Sequence, residues 1–106
     1  MPKLLKQTFK AWLDEMPGSP PKLIVTGDLE VPTPGWKAEL KLKVPQGFNP
    51  KILLLDVHAQ APQGNVNQIV QKIPLRYEQA ASPGSYTEVT IFYESDSVTV
   101  PVKPVH

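Results

Sequence analysis

The amino-acid sequence predicts an all-β fold, an antiparallel β-sandwich of six or seven strands. From residue 22 onward, apolar and polar residues alternate with a period of two, which is typical of strands with one buried face. Prolines and glycines break this alternation at intervals of about 8–12 residues, and no helical pattern lies between the breaks. Short strands in that arrangement favour packed antiparallel sheets and exclude an α/β fold.

Residues 1–18 form an N-terminal segment for which the pattern allows two conformations. Its apolar residues fall on one stripe of an amphipathic helix, namely Leu5, Phe9, Trp12, Leu13 and Met16. The lysines at its start and the acidic residues at its end oppose the helix dipole, however. We therefore expect either a short N-terminal helix or a seventh strand. Prolines and a glycine at 17–21 then end any regular structure, and a β-sandwich domain is expected at residues 19–106.

The next two segments alternate clearly. Residues 22–31 place leucines and valines on one face, and Gly27 lies in register with them, where a bulge or close packing would fit. In residues 36–44 every second residue is apolar: Trp36, Ala38, Leu40, Leu42 and Val44. We expect two strands here, each with its charged side chains in solvent.

The remaining segments differ in how they can be placed in a sheet. Residues 52–59 begin apolar on both faces, which favours a central strand. Pro74 interrupts the segment around residues 69–77 and cannot donate to a ladder, so that strand is expected at an edge or with a bulge. The same reasoning applies to Pro101 in the last strand. Residues 86–94 and 98–102 flank a short polar turn and predict a terminal hairpin.

Composition limits the class of protein. With 106 residues, 41% of them hydrophobic, the chain can form one small core and no second one. Eleven basic and ten acidic residues give a net charge of +1, which does not favour a nucleic-acid partner. The absence of cysteine excludes disulfides and thiolate metal sites.

Targeting signals are also weak. The longest uninterrupted apolar run, at residues 52–55, is four residues long, against roughly 20 for a membrane-spanning helix. No apolar block of the secretory type follows the N-terminal lysines. We therefore expect no membrane partner and a cytoplasmic location for the chain as written, or a secreted or periplasmic one if it is a mature form.

Residue patterns for catalysis and metal binding are sparse. Asp56 and His58 share one face of their strand, so the carboxylate could orient the imidazole, but no G-x-S-x-G nucleophile motif accompanies them. His58 and His106 are the only histidines, which disfavours a zinc site. The acidic turn at 94–96 lacks the spacing of a calcium loop, and no glycine-rich phosphate loop occurs. We expect no catalytic residue, no metal and no cofactor, and hence no enzymatic activity.

Aromatic residues are the better candidates for binding. Phe48 lies in a loop bounded by prolines, where it either caps the end of the sandwich or is an exposed anchor for a partner. We favour capping over partner binding, because a single exposed apolar residue is often without a binding function. Trp12 and Phe92 are the other two candidate binding residues.

The segment Gly84-Ser85-Tyr86, followed by a hairpin into a valine-rich last strand, resembles the tyrosine corner of immunoglobulin-like and fibronectin-III-like domains. The resemblance covers residues 22–105 and implies an immunoglobulin-like sandwich in which the Tyr86 hydroxyl bonds to the backbone. Glu88 departs from that pattern, which has an apolar residue or cysteine there. The segments at residues 12–18 and 45–50 also resemble small bacterial proteins that have no assigned activity.

These features together predict a non-enzymatic domain that binds another protein through its loop tips or through an edge strand. Prolines at the edges leave room for a symmetric contact, so the partner could be a second copy in a homodimer. The alternative is a module that binds a small ligand or a carbohydrate against exposed aromatic rings, with Trp36, Phe48 and Phe92 as the candidates.

Overall fold

The computed structural model describes residues 2–64 and 67–105, and most of them lie in strands. No helix occurs among the described residues, so the all-β prediction is confirmed. The strands are β1 (Lys3–Asp14), β2 (Lys22–Val31), β3 (Lys37–Leu42), β4 (Ile52–Gln60), β5 (Gln71–Ala80), β6 (Glu88–Tyr93) and β7 (Asp96–Val105).

The seven strands form one mixed sheet in the order β3-β4-β6-β7-β1-β2-β5. The pairs β1–β7 and β4–β6 are parallel, and the other four are antiparallel. The prediction of purely antiparallel sheets is therefore wrong at two pairs. A strand's residue pattern reports which face is buried but not the direction of its neighbour. The edge strands β3 and β5 contact each other, so the sheet curls until it is nearly closed, like a barrel.

The N-terminal segment is strand β1, and the helix considered for it is wrong. β1 lies inside the sheet, between β2 and β7. Its register to β2 shifts between Leu5 and Lys10, which marks a β-bulge. The bulge changes which residues face inward, so Leu4 is buried before it and Phe9, Ala11 and Leu13 after it. The stripe of helical spacing in the sequence combines both faces of this strand, because Phe9 and Leu13 are buried in the core whereas Trp12 faces outward.

Side chains close the bulge in two ways. The Thr8 hydroxyl accepts a hydrogen bond from the Asp28 amide at 2.8 Å and donates one to the Leu5 carbonyl at 2.6 Å. The Phe9 ring lies directly over Gly27 of β2, where an added Cβ would sit 2.5 Å from Phe9 Cγ. Close packing at Gly27, one of the two options that the alternation predicts there, is what the structure has.

The core fills the inside of the curled sheet. As the alternation predicts, the inward face of β2 consists of Leu23, Val25, Leu29 and Val31. β4 is central, between β3 and β6, and contributes Leu53, Leu55 and Val57. β6 and β7 form the predicted hairpin and contribute Val89, Ile91 and Val100. Trp36 packs against this core, and its indole N–H donates to the hydroxyl of buried Thr33 at 3.1 Å.

The two strand prolines have different positions. Pro74 lies in β5, which is an edge strand, as expected. Pro101 does not lie at an edge, because β7 has β6 on one side and β1 on the other. Residues 96–101 of β7 pair with β6, and residues 102–105 pair with β1. Pro101 is tolerated because the ladder to β1 begins only at the next residue, Val102.

Candidate functional site

The loop between β3 and β4, residues 43–51, exposes the two most accessible large apolar side chains among the described residues. We call it the Phe48 loop. Phe48 has a relative exposure of 108% and Val44 one of 88%. Phe48 therefore does not cap the end of the sheet. Two prolines and a glycine, Pro45, Pro50 and Gly47, keep the loop from continuing β3 or β4.

Gln46 holds the Phe48 loop against β4. Its side-chain carbonyl accepts a hydrogen bond from the Leu54 amide at 2.9 Å. Its side-chain N–H₂ donates to the Leu54 carbonyl at 2.8 Å and to the Lys43 carbonyl at 2.7 Å. The amide thus continues the ladder where β3 has ended, and all of its bonds are to backbone groups within the sheet or the loop. This fixes the loop to a rigid strand.

The C-terminal side of the loop is also ordered by hydrogen bonds. The Asn49 side chain accepts a bond from the Lys51 amide at 2.9 Å, which is an Asx turn. The Asn49 carbonyl accepts a bond from the Ile52 amide at 3.2 Å. The Lys51 ammonium donates to the Gly84 carbonyl at 2.6 Å and so joins the loop to the turn before β6. Phe48 is displayed between two anchored ends.

Val44 was missed by the sequence reasoning, which placed it in the core. It has the parity of the inward-facing residues of β3, but β3 ends at Leu42. Both Leu42 and Val44 are exposed. The signal that could have identified this is Pro45, because a proline restricts the residue before it and often ends a strand.

Phe92 lies on the outer face of β6 and is half-buried. The Lys43 ammonium lies 4.9 Å from the centre of its ring, within the range of a cation–π contact. The same ammonium is 3.6 Å from Asp56 Oδ1. Lys43 therefore covers part of Phe92 and forms an ion pair with Asp56.

Asp56 and His58 both lie on the outer face of β4, as their spacing predicts. The carboxylate of Asp56 pairs with Lys43, however, and His58 is exposed. Among the described residues, no group of three or more acidic, histidine or cysteine side chains could hold a metal ion. His106 lies outside the described residues. The expectation that the chain is not an enzyme stays a prediction.

Trp12 lies on the outer face of β1, away from the Phe48 loop in the strand order. Its register partners are Ile24 on β2 and Lys103 on β7. Ile24 faces outward too, yet only 3% of it is exposed, and it does not belong to the core cluster. Trp12 lies in a cleft between β1 and β7. Of the three predicted binding residues, Phe48 lies in the Phe48 loop, and Phe92 contacts the first residue of that loop, Lys43. Trp12 belongs to a different part of the sheet.

Tyr86 takes part in a short chain of side-chain hydrogen bonds to β5. The Tyr77 hydroxyl donates to Gln79 Oε1 at 2.6 Å, and Gln79 Nε2 donates to the Tyr86 hydroxyl at 3.3 Å. Burial raises the pKa of Tyr77, and the neighbouring Tyr86 raises it further. These three residues join the edge strand β5 to the segment that precedes β6.

Comparison with protein-family models, with curated proteins and with solved structures found no match to this chain. The described residues include no helix long and apolar enough to cross a membrane.

Proposed function

We propose that this chain is a non-enzymatic β domain that binds another protein through the Phe48 loop. The observation that carries the proposal is the full exposure of Phe48 on a loop that hydrogen bonds hold to β4. An aromatic side chain on an ordered loop loses little conformational entropy on docking, which is why such residues are frequent hot spots. Val44 extends the same apolar surface.

The edge-strand route to a partner is less well supported. Strand addition needs a free row of backbone groups along an edge. The two edge strands, β3 and β5, contact each other, and Pro74 removes a donor from β5. We therefore place the contact on the loop and not on the sheet edge.

The ligand-binding alternative requires two aromatic rings on one open face. Trp36 packs against the core, and Lys43 covers part of Phe92. Phe48 is then the one fully exposed ring of the three that this alternative invokes. The resemblance to immunoglobulin-like and fibronectin-III-like domains stays a prediction as well, and it supports a binding role by analogy alone.

Photo-crosslinking in cells tests the proposal. A photoreactive amino acid placed at position 48 is expected to crosslink one defined polypeptide. The same amino acid at Met16, which is 49% exposed and lies outside the loop, is the matched control. A crosslink to a second copy of this chain would identify a homodimer. Crosslinking at position 48 that is no stronger or more selective than at Met16 would refute the proposal.

Affinity measurements then show whether the contact depends on the ring. The crosslinked partner, once purified, should bind the wild-type chain directly. Phe48→Ser should weaken that binding by about 30-fold or more, since hot-spot truncation costs about 2 kcal/mol or more. Met16→Ser should leave the affinity unchanged. Equal affinity for the wild type and Phe48→Ser would contradict the role of the loop.

A further inference from the structure

A second surface, independent of the Phe48 loop, lies at the junction of β1 and β7. The two strands pair in parallel from Ala11↔Val102 to Asp14↔Val105. Further back along both strands, the Lys6 ammonium bridges to Asp96 Oδ1 at 2.8 Å. The bulge in β1 and the switch of β7 from β6 to β1 lie between this ion pair and the ladder. A cleft of about 440 Å³ begins there, at Phe9 and Val100, and follows the ladder to Val105.

The cleft is apolar and reaches the core. Its lining includes the core residues Phe9, Ala11 and Val100. Trp12, Pro101 and Val105, on the outer faces of the strands, complete its apolar walls. Volumes of about 300–1,000 Å³ with mostly apolar linings are typical of sites for small molecules.

The polar side chains that line the cleft are all hydrogen-bond donors. Besides the indole N–H of Trp12, its lining side chains offer the ammonium groups of Lys10 and Lys103. Neither lysine forms an ion pair within the described part of the chain. No acidic, hydroxyl or amide side chain lines the cleft. An occupant that carries acceptors and a negative charge therefore complements these side chains.

We propose that this cleft binds an amphipathic monocarboxylate of the medium-chain fatty-acid class. The alkyl chain packs against Trp12, Pro101 and the exposed part of the core, while the carboxylate lies between the Lys10 and Lys103 ammonium groups. A carbohydrate fits less well, because its hydroxyls need acceptors as well as donors and the lining side chains provide donors only.

Calorimetric titration of the wild-type chain with sodium decanoate, below its micelle concentration, tests the proposal. We expect saturable binding of one decanoate per chain. Each additional methylene that is buried should raise the affinity about fourfold. Octanoate, which has two methylenes fewer than decanoate, should therefore bind about 15-fold more weakly. Decanol, which has the same chain without the charge, should bind at least about tenfold more weakly than decanoate.

Variants locate the site and identify the role of charge. Lys10→Gln and Lys103→Gln should each reduce the preference for decanoate over decanol. Lys37→Gln, which changes an exposed lysine of β3, should not. The Trp36→Phe variant leaves Trp12 as the sole tryptophan. Titration of this variant with decanoate should change the fluorescence of Trp12, and the Kd from fluorescence should equal the Kd from calorimetry. If that variant does not fold, calorimetry on the wild type and the lysine variants decides the question. No saturable binding, equal binding of decanoate and decanol, or an equal effect of Lys37→Gln would overturn the proposal.

Discussion

Substituting alanine for Gly27 tests the packing that integrates β1 into the sheet. The Gly27 φ angle lies outside the left-handed region, so alanine is compatible with the backbone there. An added Cβ, however, would lie 2.5 Å from Phe9 Cγ and closer still to two other ring carbons. Real Cβ atoms essentially never show contacts under 3.0 Å, so either the ring or the strand must move.

The size of the effect follows from the burial of Phe9. Phe9 is buried, belongs to the core cluster and lies next to the β1 bulge. Inserting a methyl group into such a site typically costs about 1–3 kcal/mol. Each kcal/mol lowers the Tm of a domain of this size by about 4–8 °C. We therefore expect Gly27→Ala to lower the free energy of unfolding by about 1–3 kcal/mol.

A double-mutant cycle in urea isolates the contact. Phe9→Leu removes the ring and destabilises the chain on its own, but it frees the space above Gly27. In that background Gly27→Ala should be neutral or should stabilise by up to about 1 kcal/mol, since alanine reduces the entropy of the unfolded chain. A Gly27→Ala cost that is the same in both backgrounds, or absent in the wild type, would refute the packing of Phe9 on Gly27.

Three further predictions concern the core and its surroundings. Leu55 is 0% exposed, so Leu55→Ala should cost about 2–5 kcal/mol in urea unfolding, and a cost below about 1 kcal/mol would contradict its central place. Trp36→Phe leaves the buried Thr33 hydroxyl without its indole donor and should cost about 1–3 kcal/mol, whereas Trp36→Phe combined with Thr33→Val should recover part of that loss in thermal melts. Lys6 lowers the pKa of Asp96, so this pair stabilises the fold at neutral pH and the contribution is lost as the pH falls through the folded-state pKa. The decrease in the free energy of unfolding at acid pH should therefore be smaller in Lys6→Gln than in the wild type. If the dependence of stability on pH is the same in both, the ion pair contributes nothing.

Most of the strands could be predicted because their buried faces alternate cleanly. Leu23, Val25, Leu29 and Val31 have a period of two, and all of them lie in the core. The central place of β4 and the terminal hairpin could also be predicted from local sequence, since both depend on apolar runs and turns.

The conformation of β1 and the directions of the strands could not be predicted. The bulge in β1 depends on Thr8 bonding to the Asp28 amide, which lies twenty residues further along the chain. Parallel pairing of β1 with β7 joins the two ends of the described chain and leaves no local signal. Such long-range pairings become visible only once the sheet has been assembled.

The candidate site was predictable in part. Phe48 was identifiable because prolines bound its loop. The hydrogen bonds that hold the loop to β4 were not identifiable, since Gln46 bonds to Leu54, eight residues away, and many surface glutamines make no such contact. Val44 was wrongly assigned to the core for a related reason. The alternation of apolar and polar residues in β3 continues to Val44 in the sequence, although the strand itself ends at Leu42.

Backbone ¹⁵N relaxation of Gly47 and Phe48 tests most directly the central claim, that Phe48 is presented on a rigid loop. If Gln46 holds the loop to β4, the order parameters of both amides should be near those of the strands, about 0.85, in the wild-type chain. In Gln46→Ala, which removes all three side-chain hydrogen bonds, they should fall below about 0.6. Order parameters below about 0.6 already in the wild type, or values unchanged in Gln46→Ala, would contradict the account.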